Sequence, residues 1–285
     1  MTDVLTTREE LTAWLSRTTG PRGVVLTMGA LHAGHMSLVD AARGAVGTGT
    51  VMVTVFVNPT QFGPNEDFAR YPRSLDADIA LCEQHGVDAV FAPSVEEVYP
   101  PGEVLPEYRP GTLAEELEGK ARPGHFVGVL KVVSRLLRLT AADVTCFGEK
   151  DYQQLTLVRR LPDIEPTLAH VQFLGVPTLR DIDGLALSSR NRYLSEPQRQ
   201  AALAIPRCIE LVRQICAEGL SARSAALEGF NFLLSSPGVV PDYVTIRGVD
   251  LGPAPERGPA RLLIAATVGD TRLLDNAEVM MGGRA

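Results

Sequence analysis

The stretch Gly23-Val24-Val25-Leu26-Thr27-Met28-Gly29-Ala30-Leu31-His32-Ala33-Gly34-His35 decides how this chain folds. Val24 to Leu26 form a short apolar run typical of a buried strand, and apolar residues return at helical spacing from Leu38 onward. We therefore predict that the two histidines lie where a strand turns into a helix. Such a junction presents unpaired backbone N–H groups and the positive end of the helix dipole, so it is suited to bind a phosphate group.

The two histidines could instead cap or pack the helix, or bind zinc. A single histidine at a helix start is more often a capping or packing residue than a catalytic one, but packing alone does not account for a pair separated by Ala-Gly. A zinc site would need more ligands, because His32 and His35 supply only two and no cysteine pair stands nearby. We prefer phosphate binding, in which each imidazole supplies a donor that can become cationic.

The composition indicates a globular protein of one large or two ordinary domains. The chain has 285 residues, of which 45% are hydrophobic and 21% are charged. A formal net charge of −7 argues against nucleic acid as a partner, since nucleic-acid-binding proteins usually carry a basic surface. The amino terminus lacks the apolar segment of a signal peptide, and no apolar run reaches the ~20 residues of a membrane span, so we expect a cytoplasmic protein with no membrane partner. Four dispersed cysteines are expected to be reduced and mostly buried: Cys82, Cys146, Cys208 and Cys216.

Strands and helices alternate through the first part of the chain. The β-branched run Thr50–Val57 predicts a strand buried on both faces, Leu75–His85 has helical spacing, and Val87–Ala92 predicts a further strand. This order predicts an α/β fold, a Rossmann-like parallel sheet with helices on both faces. Such sheets bind ligands at the carboxyl ends of their strands, so the histidine pair and the loop Asn58–Gly63 should share one edge.

The next segments continue this pattern. Ser94–Pro110 has no periodicity, and we expect a surface excursion that serves as a lid. A helix predicted over Val127–Leu139 precedes a short strand over Thr145–Phe147. The charged turn Gly148-Glu149-Lys150-Asp151 follows, where a lysine would meet a polyphosphate as a point charge; a solvated helix start is the alternative.

The last part of the chain has a different character. Leu187-Ser188-Ser189-Arg190 offers hydroxyls and a guanidinium to an anion, although the two serines could also cap a polar helix. Helices are predicted over Pro197–Gly219 and Ala222–Leu234, and strands over Asp242–Arg247 and Arg261–Val268. We predict a Rossmann-like domain over residues 1–175 and a smaller α+β domain over residues 176–285 that closes over the nucleotide and excludes water.

Five motifs, taken together, resemble those of the pantoate–β-alanine ligases, also called pantothenate synthetases. The resemblance covers nearly the whole chain. The histidine motif alone would indicate only the wider superfamily of nucleotidyl transferases and class I aminoacyl-tRNA synthetases. The motifs occur in the family's order: Thr27–His35, Asn58–Gly63, Arg122–Phe126, Phe147–Leu155 and Leu187–Asn191.

The resemblance implies a ligase that condenses pantoate with β-alanine in two steps, with ATP and Mg²⁺ as cofactors, usually as a homodimer. Pantoate would attack the α-phosphorus to give pantoyl adenylate and pyrophosphate, and β-alanine would then displace AMP. By the same resemblance, Gln61 and Gln154 would bind pantoate, and the catalytic residues would be His32, His35, Lys150 and Arg190. The nucleotide site would consist of Met28, Gly29, Ala30, Leu31, His32, Ala33, Gly34, His35, Gly148, Glu149, Lys150, Asp151, Val176, Leu187, Ser188, Ser189 and Arg190.

The chain departs from the family's usual pattern at three positions. Leu26 replaces a proline, while Ala77 and Leu81 stand where some members place acidic or amide residues near the metal. Asp78 is then the expected protein ligand of Mg²⁺.

Two other functions stay open from the sequence. One is a nucleotidyltransferase that joins a nucleotide to a phosphorylated acceptor, which would need a second cationic pocket where Gln61 and Gln154 stand. The other is a nucleotide-sensing module without catalysis, which would not need both histidines and Lys150 together.

Overall fold

The computed structural model describes residues 2–63, 74–103 and 106–282. The chain divides into two compact units. The first comprises Met1–Gly148 and Gln153–Pro177, and the second comprises Glu149–Tyr152 and Thr178–Ala285. Residues 149–152 follow a strand of the first unit along the chain but group with the second unit. The division predicted from the sequence assigns these four residues to the first domain.

The first unit is built on a parallel sheet. Its described strands are β1 Asp3–Leu5, β2 Arg22–Thr27, β3 Thr50–Val55, β4 Ala89–Phe91, β5 Val144–Gly148 and β6 Gln172–Val176. Their order across the sheet is β1-β4-β3-β2-β5-β6, and every neighbouring pair is parallel. The predicted fold class is confirmed.

Helices cover this sheet. They are α1 Arg8–Arg17, α2 Ala33–Val46, α3 Leu75–Gln84, α4 Val95–Val98, α5 Glu118–Ala121, α6 His125–Leu139, α7 Tyr152–Val158 and α8 Leu161–Ile164, of which α7 begins with a residue of the second unit. Within the first unit, α2 packs against β2, β3 and β5, and α6 packs against β2. Val24 and Val25 point to opposite faces of β2 and are both 0% exposed, which requires cover on both faces of the sheet.

The second unit has an antiparallel sheet with helices beside it. Strands β7 Val239–Gly248, β8 Gly258–Val268 and β9 Thr271–Met281 pair in chain order, and β8 and β9 form a hairpin from Gly258 to Met281. The helices are α9 Glu196–Ala202, α10 Ala204–Ala217 and α11 Ala222–Leu234. Their apolar faces form one buried cluster with the sheet, which includes Ile205, Val212, Leu233, Leu262 and Ile264.

Two predicted elements differ from the structure for identifiable reasons. The helix predicted over Pro197–Gly219 is interrupted at Leu203, because Pro206 has no N–H to donate to the carbonyl of Ala202. The segment predicted as a surface excursion contains α4, whose Val98 is fully buried and whose Val98 carbonyl accepts a hydrogen bond from Nε of Arg135 at 2.9 Å. Within the described ranges, no helix combines the length and apolar character needed to cross a membrane.

Candidate active site

The candidate site of the first unit lies at the carboxyl edge of its sheet. Strand β2 pairs with β3 on one side and with β5 on the other, so the strand order runs outward in both directions from β2. In open parallel sheets this switch in order marks the ligand crevice. The loops after β2 and β3 meet there as predicted, since Nε2 of Gln61 lies 3.2 Å from the sulfur of Met28.

His32 and His35 form a reciprocal cap at the start of α2. Nδ1 of His32 accepts the backbone N–H of Gly34 at 3.1 Å, and Nδ1 of His35 accepts the backbone N–H of His32 at 3.3 Å. The two rings are tilted, with centroids 4.1 Å apart. An imidazole that accepts at Nδ1 carries its proton on Nε2 when neutral. The capping alternative therefore holds for both histidines, and the cap leaves the proton of each neutral ring on Nε2.

Asp78 anchors the turn between β2 and α2. Its Oδ2 accepts the N–H of Ala30 at 3.0 Å, and its Oδ1 accepts the N–H of Leu31 at 2.8 Å. The turn needs such support, since Ala30 has a positive φ of 51° and Gly29 one of 83°. Asp78 is only 3% exposed, and both of its oxygens already serve backbone donors. This arrangement favours an anchoring role over the predicted role of Mg²⁺ ligand.

A buried amide network holds Gln61. Asn58 is 1% exposed, and its Nδ2 donates to Oε1 of Gln61 at 3.1 Å and to the carbonyl of Gly128 at 3.2 Å. Its Oδ1 accepts from the hydroxyl of Tyr99 at 3.1 Å and from that of Thr60 at 2.9 Å. Gly128 allows the close approach, because a Cβ there would lie 2.2 Å from the Thr60 carbonyl. The hydrogen bond from Asn58 therefore fixes the orientation of the Gln61 carboxamide.

His125 supports the same loop from α6. Its Nδ1 lies 2.9 Å from the carbonyl of Gln61, and its Nε2 lies 3.0 Å from a guanidinium nitrogen of Arg122. Since a carbonyl can only accept and a guanidinium can only donate, the neutral ring carries its proton on Nδ1. Arg122 and His125 thus support the backbone of a predicted substrate-binding residue.

Gln153 and Gln154 are neighbours on α7 with different environments. Gln153 is 3% exposed, and its Nε2 donates to the carbonyls of Leu113 at 2.7 Å and Glu116 at 2.9 Å. Gln154, the predicted pantoate-binding residue, is half-buried. Gly148 ends β5 opposite Val176 of β6, so these two predicted nucleotide-site residues lie together at the carboxyl edge.

A cavity of about 320 Å³ lies beside the Asp78-anchored turn. It shares Met28 and Gly29 with the predicted nucleotide site, but neither Gln61 nor Gln154 lines it. It is therefore not the space that these two amides define.

The other predicted residues belong to the second unit. Glu149–Asp151 form a 3-10 turn, in which Nζ of Lys150 lies 3.3 Å from a carboxylate oxygen of Asp151. Ser188 caps the 3-10 helix Ser189–Tyr193, since its Oγ accepts the N–H of Arg190 at 3.3 Å. The capping alternative therefore holds for this serine. Leu187 is half-buried, and its N–H donates to the carbonyl of Leu179 at 3.0 Å.

Sequence reasoning misses the residues that support the site. The sequence suggests Asp78 only as a metal ligand. It gives no reason to single out Asn276, which donates to the carbonyls of Glu149 and Lys150, or Arg261, which contacts the Glu149 carboxylate. A buried polar side chain gives no periodic signal, because its partners are backbone groups distant in the chain. For Gln153, its position next to the predicted pantoate-binding residue Gln154 is the sequence signal that could have drawn attention to it.

The chain resembles known proteins over nearly its whole length. A family model described as pantoate-beta-alanine ligase matches residues 3–278. The chain belongs to the pantoate–β-alanine ligase family.

The family membership is supported by curated relatives and by solved structures. A pantothenate synthetase of Salinispora arenicola is 50% identical over 283 residues, which cover 99% of each chain. The crystal structure of a pantothenate synthetase from Thermus thermophilus has a TM-score of 0.89 and 42% identity, covering 96% of this chain and 98% of that chain. A pantoate-beta-alanine ligase from Francisella tularensis, solved in complex with β,γ ATP and β-alanine, has a TM-score of 0.79 and 32% identity and covers 97% of both chains.

Membership decides between the functions left open by the sequence. The chain is a ligase that condenses pantoate with β-alanine to pantothenate. The nucleotidyltransferase and the nucleotide-sensing module are therefore set aside.

Proposed function

We propose that this ligase activates pantoate with ATP as pantoyl adenylate, releases pyrophosphate, and then transfers the pantoyl group to β-alanine with release of AMP. The observation that carries the proposal is the reciprocal histidine cap at the start of α2. It supplies two Nε2 donors of defined orientation, beside the positive end of a 14-residue helix. An in-line displacement at phosphorus needs positioning and stabilisation of developing charge more than covalent help, and these donors are suited to supply both.

His35 acts in this mechanism as the donor that assists pyrophosphate departure, with His32 beside it. Negative charge grows on the bridging oxygen as the bond to the α-phosphorus breaks. A donor aimed at that charge lowers the barrier, because it interacts more strongly with the transition state than with bound ATP. Removing a donor of this kind costs roughly 10²–10³ in rate.

Lys150, Ser188, Ser189 and Arg190 complete the phosphate site in our proposal. Lys150 supplies a compact positive charge, while Arg190 can hold two phosphate oxygens at once. The adenine and ribose would be bound by Val176, the Met28–Gly34 turn and the flanking residues: Gly148, Glu149, Asp151 and Leu187.

Gln61 and Gln154 bind pantoate in this scheme. Each carboxamide offers donors and an acceptor to the hydroxyl and carboxylate groups of a hydroxy acid, without placing a charge beside the nucleophilic carboxylate. The rigid network behind Gln61 supports this assignment, since a preorganised amide loses less entropy when the substrate binds.

Mg²⁺ would enter with the phosphates of ATP. The described residues contain no group of three or more histidine, cysteine or acidic side chains that could hold a metal ion. Asp78 is a poor candidate because its oxygens already accept backbone N–H groups. Mg²⁺ commonly binds through substrate phosphates and water with few protein ligands, and when bound it neutralises phosphate charge.

The mixed anhydride should form on the substrate rather than on the enzyme. All four thiols are buried, and burial raises the pKa of Cys82 to about 12, of Cys146 to about 11, of Cys208 to about 12, and that of Cys216 above its usual value. Because the thiolate is the nucleophile, none of them is suited to form an acyl-enzyme.

Separating the half-reactions tests the proposal. Labelled pyrophosphate should exchange into ATP with pantoate and Mg²⁺ present and β-alanine absent. Adding β-alanine to the isolated enzyme–adenylate complex should release AMP and pantothenate without further ATP. Exchange that strictly requires β-alanine, or release of ADP and phosphate, would contradict the adenylate mechanism. The homodimer and the cytoplasmic location remain predictions from the sequence.

A further inference from the structure

The segment Glu149–Tyr152 is held by the sheet of the second unit. Asn276, on β9, is 4% exposed. Its Nδ2 donates to the carbonyl of Glu149 at 2.8 Å and to the carbonyl of Lys150 at 2.7 Å. The Asn276 carboxamide therefore fixes the backbone that carries the Lys150 side chain.

Arg261, on β8, holds the same segment through side chains. Its Nε donates to Oδ1 of Asn276 at 2.7 Å, and one terminal nitrogen donates to a carboxylate oxygen of Glu149 at 3.0 Å. Its guanidinium carbon lies 3.9 Å from the centroid of the Tyr152 ring, a stacked cation–π arrangement. Arg261 thus orients Asn276 and contacts both ends of the segment.

The backbone of Asn276 is itself held in place. Arg180 binds both oxygens of Asp275, at 2.7 and 2.8 Å, and Asp275 accepts the N–H of Asn276 at 2.7 Å. Arg180 also donates to the carbonyl of Asn276 at 3.3 Å. Burying so many polar groups is favourable only when all are paired, so this network has a defined geometry and little freedom to adjust.

A lysine needs this support more than an arginine would. Lys150 carries a point charge on a flexible four-carbon stem, so the position of its ammonium depends on where the backbone starts the stem. Its side chain is 21% exposed and contacts Asp151, which is itself 48% exposed. The firm restraint on Lys150 is the pair of hydrogen bonds to its backbone and that of Glu149.

We propose that Asn276 and Arg261 are positioning residues for the reaction: they set the place of the Lys150 ammonium by fixing the backbone of Glu149 and Lys150. This inference rests on the proposed function, in which Lys150 neutralises the polyphosphate. It assigns part of the first half-reaction to two residues of the β8–β9 hairpin that act through Lys150 rather than on the reacting atoms.

Asn276→Ala is the direct test. Both carbonyls lose their donor, and misplacing a catalytic group by about 1 Å can cost about 10²-fold in rate. We expect kcat for pantoate-dependent pyrophosphate exchange to fall about 10- to 100-fold, with KM for pantoate within about twofold of the parent enzyme, because Gln61 and Gln154 are untouched. A rise in the KM for pantoate with kcat unchanged would contradict the proposal.

A double-mutant cycle with Lys150→Ala separates positioning from general structure. If Asn276 acts through Lys150, Asn276→Ala should change exchange less than about twofold in the Lys150→Ala background. Multiplicative losses would overturn the inference, since Asn276 would then act by another route. If Lys150→Ala alone leaves exchange intact, the proposed role of Lys150 fails first, and that result is distinct from failure of the positioning role.

Two further variants control for stability. Arg272→Ala removes an arginine of β9 that pairs with Asp242 at the surface, and it should leave exchange unchanged. Arg261→Lys keeps a cation for Glu149 but cannot reproduce the planar fork and stack, so it should lower kcat while the fold is kept. If Asn276→Ala does not fold, the cycle is run with Arg261→Lys, and multiplicative losses there overturn the inference equally.

Discussion

Replacing Asp78 with asparagine separates its two possible roles. The carboxylate accepts the N–H of Ala30 at 3.0 Å and the N–H of Leu31 at 2.8 Å, inside the turn that leads to the histidine pair. An asparagine of the same shape keeps one acceptor oxygen and turns an NH₂ group toward the other N–H. Two donors then face each other in a site that is 3% exposed for the native residue.

The expected cost follows from these two bonds. One buried N–H left without a partner costs about 1–3 kcal/mol. The bond that remains loses its charge assistance, which is about half of its strength. We estimate a loss of about 3 kcal/mol in the free energy of unfolding, a large share of the roughly 5–15 kcal/mol of a typical domain. For a unit of this size, Tm should fall by about 6–12 °C.

Thermal unfolding and the Mg²⁺ dependence of pyrophosphate exchange are measured on the same samples. Asp76→Asn is the matched control, because Asp76 is exposed on the same helix two residues earlier. Asp76→Asn loses at most a helix-dipole interaction of roughly 0.3–1 kcal/mol, so its Tm should fall by no more than about 4 °C. For Asp78→Asn we expect a lower Tm, a lower exchange rate and an unchanged half-saturating Mg²⁺ concentration.

The opposite pattern would refute the anchoring role. If Asp78→Asn unfolds at the parent temperature while its half-saturating Mg²⁺ concentration rises tenfold or more, the carboxylate binds the metal and the sequence prediction stands.

Three other predictions follow from the site. His35→Ala removes the donor and should lower exchange roughly 10²–10³-fold; near-normal turnover with an intact fold would remove His35 from catalysis. Gln61→Ala should weaken pantoate binding by about 1–3 kcal/mol, which raises the KM for pantoate about 5- to 150-fold and leaves the KM for ATP nearly unchanged. Equal changes for both substrates would place Gln61 elsewhere. At about pH 8 the four buried thiols should resist iodoacetamide in the native protein and react after denaturation, because their raised pKa values keep them protonated. Rapid alkylation of the native protein, detected by mass spectrometry, would contradict their burial.

The sheet could be predicted from the sequence wherever burial on both faces leaves a continuous apolar run. Thr50–Val55 is such a strand, and the helix after His32 follows from its apolar spacing. The edge strand Asp3–Leu5 gives no comparable signal, because it has three residues, of which Asp3 and Val4 are exposed. Strand β9 alternates buried and exposed residues but includes Asp275 and Asn276, whose burial depends on Arg180 and Arg261.

The site could be predicted as a set of motifs but not as a set of contacts. Motif spacing places the histidines at a helix start, and the structure adds that each Nδ1 is consumed by a cap. The Arg122–Phe126 motif carries no task that its sequence reveals, and in the structure its Arg122 and His125 support the loop of Gln61. Such roles depend on backbone carbonyls far away in the chain, which no local pattern displays.

The two sets of donors in the proposed phosphate site are therefore held by different kinds of structure. The histidines are fixed by hydrogen bonds within residues 32–35, so they depend on one turn of α2. The position of Lys150 depends on Asn276, which lies 126 residues further along the chain. It depends also on Arg261, which lies 112 residues after the Glu149 that it contacts. A change in the β8–β9 hairpin should thus weaken the lysine's contribution and leave the histidines' contribution intact. The half-reaction that loses rate in such a variant identifies the step in which Lys150 acts.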